Sequence, residues 1–401
     1  MNSLGGLRQP HFRRAFVAGS IVTITQWQLN TVLVAHAFSV SQSAPLVGLI
    51  VLGQFGPTLI LGLPMGVLAD RTSRRAMMLI GVSIQVASAV GAVALALTSS
   101  DPVAWVVVAA AFGVGQAIYG PAFVAALPTL LPEAQLSAAV ALNSAQLSVG
   151  RVIGPPLGAL LYVAVGPAGA FVLGMLLACV ALALFGFVRP PYATTEPERL
   201  LRSTFGGFAV ARQDPIVRQC LICIAIFSVC CMPISSHMPE LASTVGISTD
   251  EAAFSILLGA FGIGTITGGI TVTVIARAKH ARVIARIALV AFGVVLLAVS
   301  LGFTLGWVAG WLVGLGIAYF FAFTALSIRL QSRLALAVRG RVMAMWVVSF
   351  GGMLPVGAAI AGPIIEWVSL SAVLQFGAIV AVALGLVGTR RTSLERHGTR
   401  S

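Results

Sequence analysis

Arg151 differs from the other basic residues in lying deep inside an apolar run, the stretch 136–164. At mid-membrane a guanidinium costs at least about 2.5–3.5 kcal/mol on insertion scales, so it must face a wet cavity or a partner. Ser144, Ser148 and Arg151 fall on one helical face at i, i+4 and i+7. Two readings stand: a site for a substrate anion or for ion coupling, and a structural donor to carbonyls freed near Pro155. No clear proton-carrying carboxylate lies within the apolar runs of the first half. The candidates for proton coupling are therefore His237 and Glu240, at i and i+3 after Pro233, since imidazole titrates near neutral pH. A solvated helix end is the competing reading there. Cys220 and Cys223 form a C-x-x-C, but neither a second pair nor a suitably spaced His accompanies them, so no metal and no cofactor are expected. All five cysteines sit in apolar runs and imply no disulfide framework. The chain holds no G-x-x-x-x-G-K-[ST] and no nucleotide-binding domain, so ATP-driven transport is not encoded in it.

The elements that must position these groups are membrane helices. The 401 residues are 58% hydrophobic and only 9% charged, with a mean hydropathy of +1.02, whereas a soluble protein is about 25% charged. That deficit excludes a globular enzyme, a disordered chain and, despite a net charge of +13, a conventional nucleic-acid binder. Charged, Pro-rich and Gly-rich breaks leave twelve apolar stretches long enough to cross a bilayer. They fall near 13–39, 44–69, 76–98, 103–130, 136–164, 168–188, 216–242, 251–275, 284–304, 307–331, 340–366 and 370–388. The widest gap, 189–215, predicts a cytoplasmic linker between two six-helix halves, 1–188 and 216–401, the second ending in a short cytoplasmic tail. With the N-terminus inside, 23 of the 24 Lys and Arg lie on the cytoplasmic side, none outside, and Arg151 within its span. The expectation is an all-α, multi-pass protein of the cell inner (plasma) membrane with both termini cytoplasmic. Arg13, Arg14 and Ala35-His36-Ala37 mimic a cleavable signal, but the apolar run between them, about 25 residues, is too long for one.

An internal repeat supports the division. Pro156-x-Gly158-Ala159 recurs as Pro355-x-Gly357-Ala358, 199 positions later, which suggests a parallel repeat related by an axis along the membrane normal. Gly62-x-x-x-Gly66, Gly150-x-x-x-Gly154-x-x-x-Gly158 and Gly264-x-x-x-Gly268 put small residues on single helix faces, where backbones can approach closely. Tight packing is the plain reading of these seams; the added expectation is that those on spans two, five and eight let one half rock against the other.

Between the second and third spans the chain reads Gly66-Val67-Leu68-Ala69-Asp70-Arg71-Thr72-Ser73-Arg74-Arg75-Ala76-Met77-Met78-Leu79. This resembles the loop signature of the major facilitator superfamily, G-x-L-a-D-r-x-G-r-[RK]-x-x-x-[LI], with Ser73 where the family usually has Gly. The resemblance implies the major facilitator fold and a gating role for Gly66 and Asp70. The Asp70 carboxylate would meet the N-terminal dipole of the span that begins near Gly340 and Arg341, in a cytoplasmic latch joined by Arg71, Arg74 and Arg75. The alternative is that these arginines only fix topology. Gly150-Arg151-Val152-Ile153-Gly154-Pro155-Pro156-Leu157-Gly158-Ala159 resembles the superfamily's antiporter signature G-x-x-x-G-P-x-x-G-G, which implies export and assigns roles to Gly150, Gly154, Pro155 and Gly158. The runs Leu142–Pro155, Gly166-Pro167 and Arg339–Met343 look like the enterobactin-exporter and macrolide-efflux branch, the transmembrane secretion effectors. The fourth span lacks the arginine many proton antiporters carry there.

Polar residues within spans are uneven. The first half offers Gln26, Gln28, Asn30, Gln54, Gln116, Tyr119, Asn143 and Gln146. The second half has no Asn but has Phe254, Phe261, Trp311, Phe320, Phe321, Phe323, Trp346 and Phe350. Gln26, Asn30, Gln116, Asn143, Gln146 and Arg151 are the substrate-cavity candidates. One hydrogen-bonding and one aromatic wall suit an amphipathic or lipophilic small molecule such as a drug, siderophore or secondary metabolite. The expected function is its export by alternating access in exchange for protons. A nutrient importer on the same fold, and a membrane sensor or assembly protein that transports nothing, are the rivals.

Overall fold

The structure, a computed structural model, describes residues 8–98, 101–132, 135–189, 212–245, 250–275, 280–302, 304–334, 342–343 and 345–387. Helix dominates, with no strand among these residues. The first unit, Met1–Pro197, contains α1 (Pro10–Ser41), α2 (Ala44–Arg71), α3 (Arg74–Thr98) and α4 (Pro102–Ala126). A long helical stretch, Leu136–Gly186, follows and is broken at Gly166, whose φ of 73° only glycine adopts readily. Its arms, 136–165 and 167–186, are α5 and α6. The second unit, Glu198–Ser401, contains α7 (Pro215–Cys231), α8 (Asp250–Ile275), α9 (Ala281–Ser300), α10 (Leu305–Gln331), α11 (Met353–Trp367) and α12 (Leu370–Leu386).

Local chemistry sets the starts. Asp101 caps α4, accepting from Val103 N at 2.9 Å, and Asp214 caps α7, accepting from Ile216 N at 2.7 Å. A proline follows each, at a position whose N–H would have no intrahelical partner. Ser43, Thr304 and Ser369 cap α2, α10 and α12 in the same way. Among the described residues eight helical stretches are long and apolar enough to cross a membrane, and α7 and α12 are apolar but shorter. The 32-residue α1 is not one of the eight, because Thr23, Thr25, Gln26, Gln28, Asn30 and Thr31 dilute its apolar character.

The seventh predicted span, 216–242, is not one helix. It stops at Cys231 and continues as two short turns, Pro233–Ser236 and Met238–Thr244. Pro233 and Pro239 supply no N–H and interrupt the ladder. The start of the eleventh span, Gly340 and Arg341, and most of the linker, 190–211, lie outside the described residues.

Both units pair their helices in one pattern. In the first, α1 lies along α5 and α6, while α4 packs on α2 and α3. In the second, α7 lies along α11 and α12, while α10 packs on α8 and α9. The repeated glycines do equivalent work. A methyl group at Gly158 would stand 2.6 Å from the Gln28 carbonyl oxygen of α1, and one at Gly357 would stand 2.5 Å from the Val229 carbonyl oxygen of α7.

Most of the glycine seams pack tightly within their unit. Gly150, Gly154 and Gly158 are closed over by Thr23, Trp27 and Gln28 of α1, and Gly264 and Gly268 by Val313 and Ile317 of α10. These faces hold each unit together and are not open surfaces. A methyl at Gly62 or Gly66 would meet nothing within 4 Å.

Candidate transport site

In the first unit the polar residues satisfy one another across helices. Asn30 Nδ2 donates to Gln54 Oε1 at 2.6 Å, joining α1 to α2. Gln85 Nε2 donates to Gln116 Oε1 at 3.1 Å, joining α3 to α4. Gln28 Nε2 donates to the Ala170 carbonyl at 3.1 Å, tying α1 to the start of α6. Gln26 and Gln146 are buried and Asn143 is half-buried. Gln146 reaches Gly19 of α1, where only a glycine leaves room for its amide. Some capacity is left over: Gln54 Nε2, Gln28 Oε1 and Gln146 Oε1 are buried without a partner. Orphaned polar atoms in an apolar surround are costly unless something completes them.

Arg151 is half-buried, with its guanidinium carbon 5.8 Å from the Trp27 ring centroid, and Trp27 in turn meets Phe55 at 5.6 Å. The cation therefore lies against a π face, an attractive arrangement within about 6 Å. Neither Trp27 nor Phe55 was anticipated from the sequence. The clue was the Gly150-x-x-x-Gly154 pair flanking Arg151, which marks the face that α1 must cover. The side chains of Ser144 and Ser148 lie outside the description.

The loop motif divides. Arg71 is exposed, but Arg74 is buried and donates from Nε to the Ala69 carbonyl at 3.4 Å and from Nη1 to the Ala125 carbonyl at 3.1 Å. Arg75 Nη2 donates to the Gly186 carbonyl. The two arginines thus gather the C-terminal ends of α2, α4 and α6, where unpaired carbonyls and the negative dipole end favour a cation. These bonds give Arg74 and Arg75 a structural role at the first unit's own helix ends, beside the gating role expected of them. The Asp70 side chain and Arg341 lie outside the described residues.

The second unit holds a basic residue that the charge map had counted with the loops. Arg329, 4% exposed, ends α10 and donates from Nη2 to Gln219 Oε1 at 3.0 Å. Arg333 lies 3.6 Å from Asp214, the cap of α7. Arg151 is therefore not the only arginine withdrawn from solvent.

His237 and Glu240 do come together. His237 Nδ1 lies 4.0 Å from Glu240 Oε2, and Nε2 lies 3.2 Å from the Ala358 carbonyl oxygen of α11. The ring is 1% exposed, which overturns the solvated helix end. His237 is the junction between the two short turns, and Glu240 lies in the first turn of the second.

The aromatic residues of the second unit gather around Tyr319, which the sequence reading passed over. Its ring centroid lies 6.0 Å from Phe261 and 6.2 Å from each of Phe320, Phe323 and Phe350. Trp346 joins through Phe323 at 5.4 Å. Trp311 stands apart, paired with Trp307 on an exposed face. Among the described residues no three His, Cys, Asp or Glu side chains group to hold a metal.

Comparisons with known proteins agree with this architecture. The profile of the family described as transmembrane secretion effector matches residues 1–398. Macrolide efflux protein A of Streptococcus pyogenes is 28% identical over 269 residues, covering 61% of this chain. The match spans 65% of that relative's own length, just under two thirds. Multidrug efflux pump Tap of Mycobacterium tuberculosis is 24% identical over 351 residues, covering 84% of this chain and 83% of Tap. The solved nucleoside transporter NupG superposes with a TM-score of 0.75 at 13% identity, over 94% of this chain and 98% of NupG. A bacterial homologue of the lysosomal transporter Spinster superposes at 0.68 with 17% identity, over 95% of this chain and 96% of its own. These likenesses at low identity show the fold. With the profile spanning nearly every residue, the chain belongs to the transmembrane secretion effector family of the major facilitator superfamily.

Proposed function

We propose that this protein is a secondary active exporter of amphipathic or lipophilic small molecules, exchanging them for protons by alternating access. The observation that carries the reading is that relatives aligned over most of the chain are named for macrolide and multidrug efflux. The side-chain chemistry fits such cargo. Unpartnered amide atoms on Gln54, Gln28 and Gln146 offer hydrogen bonds in one unit, and the rings around Tyr319 offer apolar area in the other. Gln26, Asn30, Gln116, Asn143, Gln146 and Arg151, together with Trp27, are the proposed substrate contacts. His237 and Glu240 are the proposed proton carriers of the second unit. Asp70, with Gly66, Arg71, Arg74 and Arg75 around the same loop and Arg341 in the second unit, is assigned the gating role. The charge distribution supports twelve spans in two six-helix halves joined by the linker 189–215, with both termini cytoplasmic in the cell membrane.

A panel of toxic compounds tested on a strain with and without the gene decides the matter. Raised sensitivity to amphipathic compounds on deletion is expected. Gradient-driven uptake of a nutrient by reconstituted protein, with no efflux, would overturn the export reading.

A further inference from the structure

Near the end of α1, His36 is enclosed by rings from three other helices. Its centroid lies 5.0 Å from Trp105 of α4, at 77° between planes, 6.3 Å from Phe171 of α6 and 6.5 Å from Tyr162 of α5. Trp105 is 1% exposed and stacks on Phe171 at 5.6 Å. The Tyr162 hydroxyl is engaged by Ser39 Oγ at 3.1 Å, one turn beyond His36. Two polar atoms in this box have no partner: His36 Nδ1 and Trp105 Nε1, both buried. They are chemically complementary. Indole nitrogen is only a donor, and the unprotonated nitrogen of a neutral imidazole is an acceptor.

We propose that His36 is a proton-binding site of the first unit, read out through Trp105. In the neutral state a rotation of either ring lets the Trp105 N–H donate to Nδ1. A proton arriving from water takes the Nδ1 lone pair and the hydrogen bond breaks; no covalent bond is cleaved and no other reactant is consumed. Both imidazole nitrogens are then donors, and the cation lies against the Trp105 ring, whose centroid is 5.0 Å away and within cation–π range. The tie between α1 and α4 therefore depends on the proton.

The groups around the site leave His36 as the proton acceptor. From α5 the facing titratable group is Tyr162, and from α4 and α6 the facing rings are Trp105 and Phe171. The adjoining start of α2, Ala44–Ile50, carries no titratable side chain. The nearest carboxylate along α4, Asp101, is exposed and caps that helix. Among the described residues His36 has no carboxylate partner. This supplies the proton site that the first half had lacked in sequence. Its part in transport rests on the antiport reading, whereas proton binding does not.

Two measurements on the full-length protein in nanodiscs and in liposomes test the inference. A protonated imidazole in contact with an indole quenches its emission, so acidification from about pH 8 to about pH 5, bracketing the imidazole range, should lower tryptophan fluorescence reversibly. The step should vanish in His36→Gln and in Trp105→Phe. A step undiminished in His36→Gln overturns the proposal. Should that variant not fold, ring-nitrogen shifts of labelled histidine in Trp105→Phe report the same proton, and a His36 signal flat across this range also overturns it. In liposomes, with ethidium as the probe, His36→Gln should keep downhill exchange and lose at least ten-fold of the acceleration by an imposed pH gradient. An unaltered gradient response refutes the coupling role. Wild-type protein inert to ethidium counts against the export reading, and the fluorescence result then decides the proton site.

Discussion

Replacing Gly158 by alanine tests the claim that repeated glycines hold each unit together. The added methyl would stand 2.6 Å from the Gln28 carbonyl oxygen and 3.0 Å from Thr31 Cβ, where ordinary contact begins at 3.4 Å. One obstacle is backbone and the other is the first carbon of a β-branched side chain, so neither can swing aside. The helices must separate by most of the missing 0.8 Å (3.4 less 2.6). That also loosens the Gln28 bond to Ala170. Overpacking of this kind costs about 2–3 kcal/mol, which lowers the folded-to-unfolded ratio by about thirty- to 160-fold. Gly357→Ala, 2.5 Å from the Val229 carbonyl, should cost a similar amount. Gly62→Ala, with nothing within 4 Å, should instead gain about 0.5–1 kcal/mol from helix propensity. Reversible unfolding in mixed micelles of increasing SDS, followed by far-ultraviolet circular dichroism, measures all three. The reasoning is refuted if Gly158→Ala lies within about 0.5 kcal/mol of wild type, or if Gly62→Ala is destabilised as much.

Other substitutions separate structural from functional roles. Arg74→Ala removes charge-assisted bonds to the ends of α2 and α4 and should lower stability by about 1.5–3 kcal/mol in the same unfolding assay, well beyond the effect of Arg71→Ala at its exposed position. Asn30→Leu leaves the fully buried Gln54 Oε1 without its donor and should cost about 1–3 kcal/mol, while the double variant with Gln54→Leu should recover most of that loss in a thermodynamic cycle. Glu240→Gln should abolish pH-gradient-driven export while sparing downhill exchange in liposomes; an unchanged gradient response removes Glu240 from the proton path. Tyr319→Ala should open the aromatic cluster and cost about 3–5 kcal/mol of stability in the same unfolding assay.

Much of the architecture was legible because its signals are local. Asp101-Pro102 and Asp214-Pro215 announce helix starts through capping chemistry that needs no tertiary knowledge. Pro156-x-Gly158 and its copy were legible as a repeat because both copies face the same steric demand. What could not be read was which face of each helix meets which neighbour. On helices apolar nearly all round, periodicity does not point inward. Gln85, Trp27, Trp105 and Tyr319 were therefore invisible as partners, although each was present as a residue. The burial of Arg329 was hidden for a related reason, since charge alone does not say whether an arginine near a helix end turns to water or back into the protein. The glycine seams were legible as places of close approach, but spacing does not name the partner.

The segment before α11 has a mechanical consequence. Val348–Gly352 is wound as a π-helix, and the carbonyl of Phe350 within it accepts from Ser228 Oγ at 2.6 Å. A π turn stores one residue more than the α turn that could replace it. Rewinding it would turn the chain on one side relative to the other by about 100° and shift it by about 1.5 Å along the axis. Phe350 sits inside that wrinkle and against Tyr319. The serine hydroxyl on α7 thus ties down the register in which Phe350 meets the tyrosine, and any other register would carry a different side chain there.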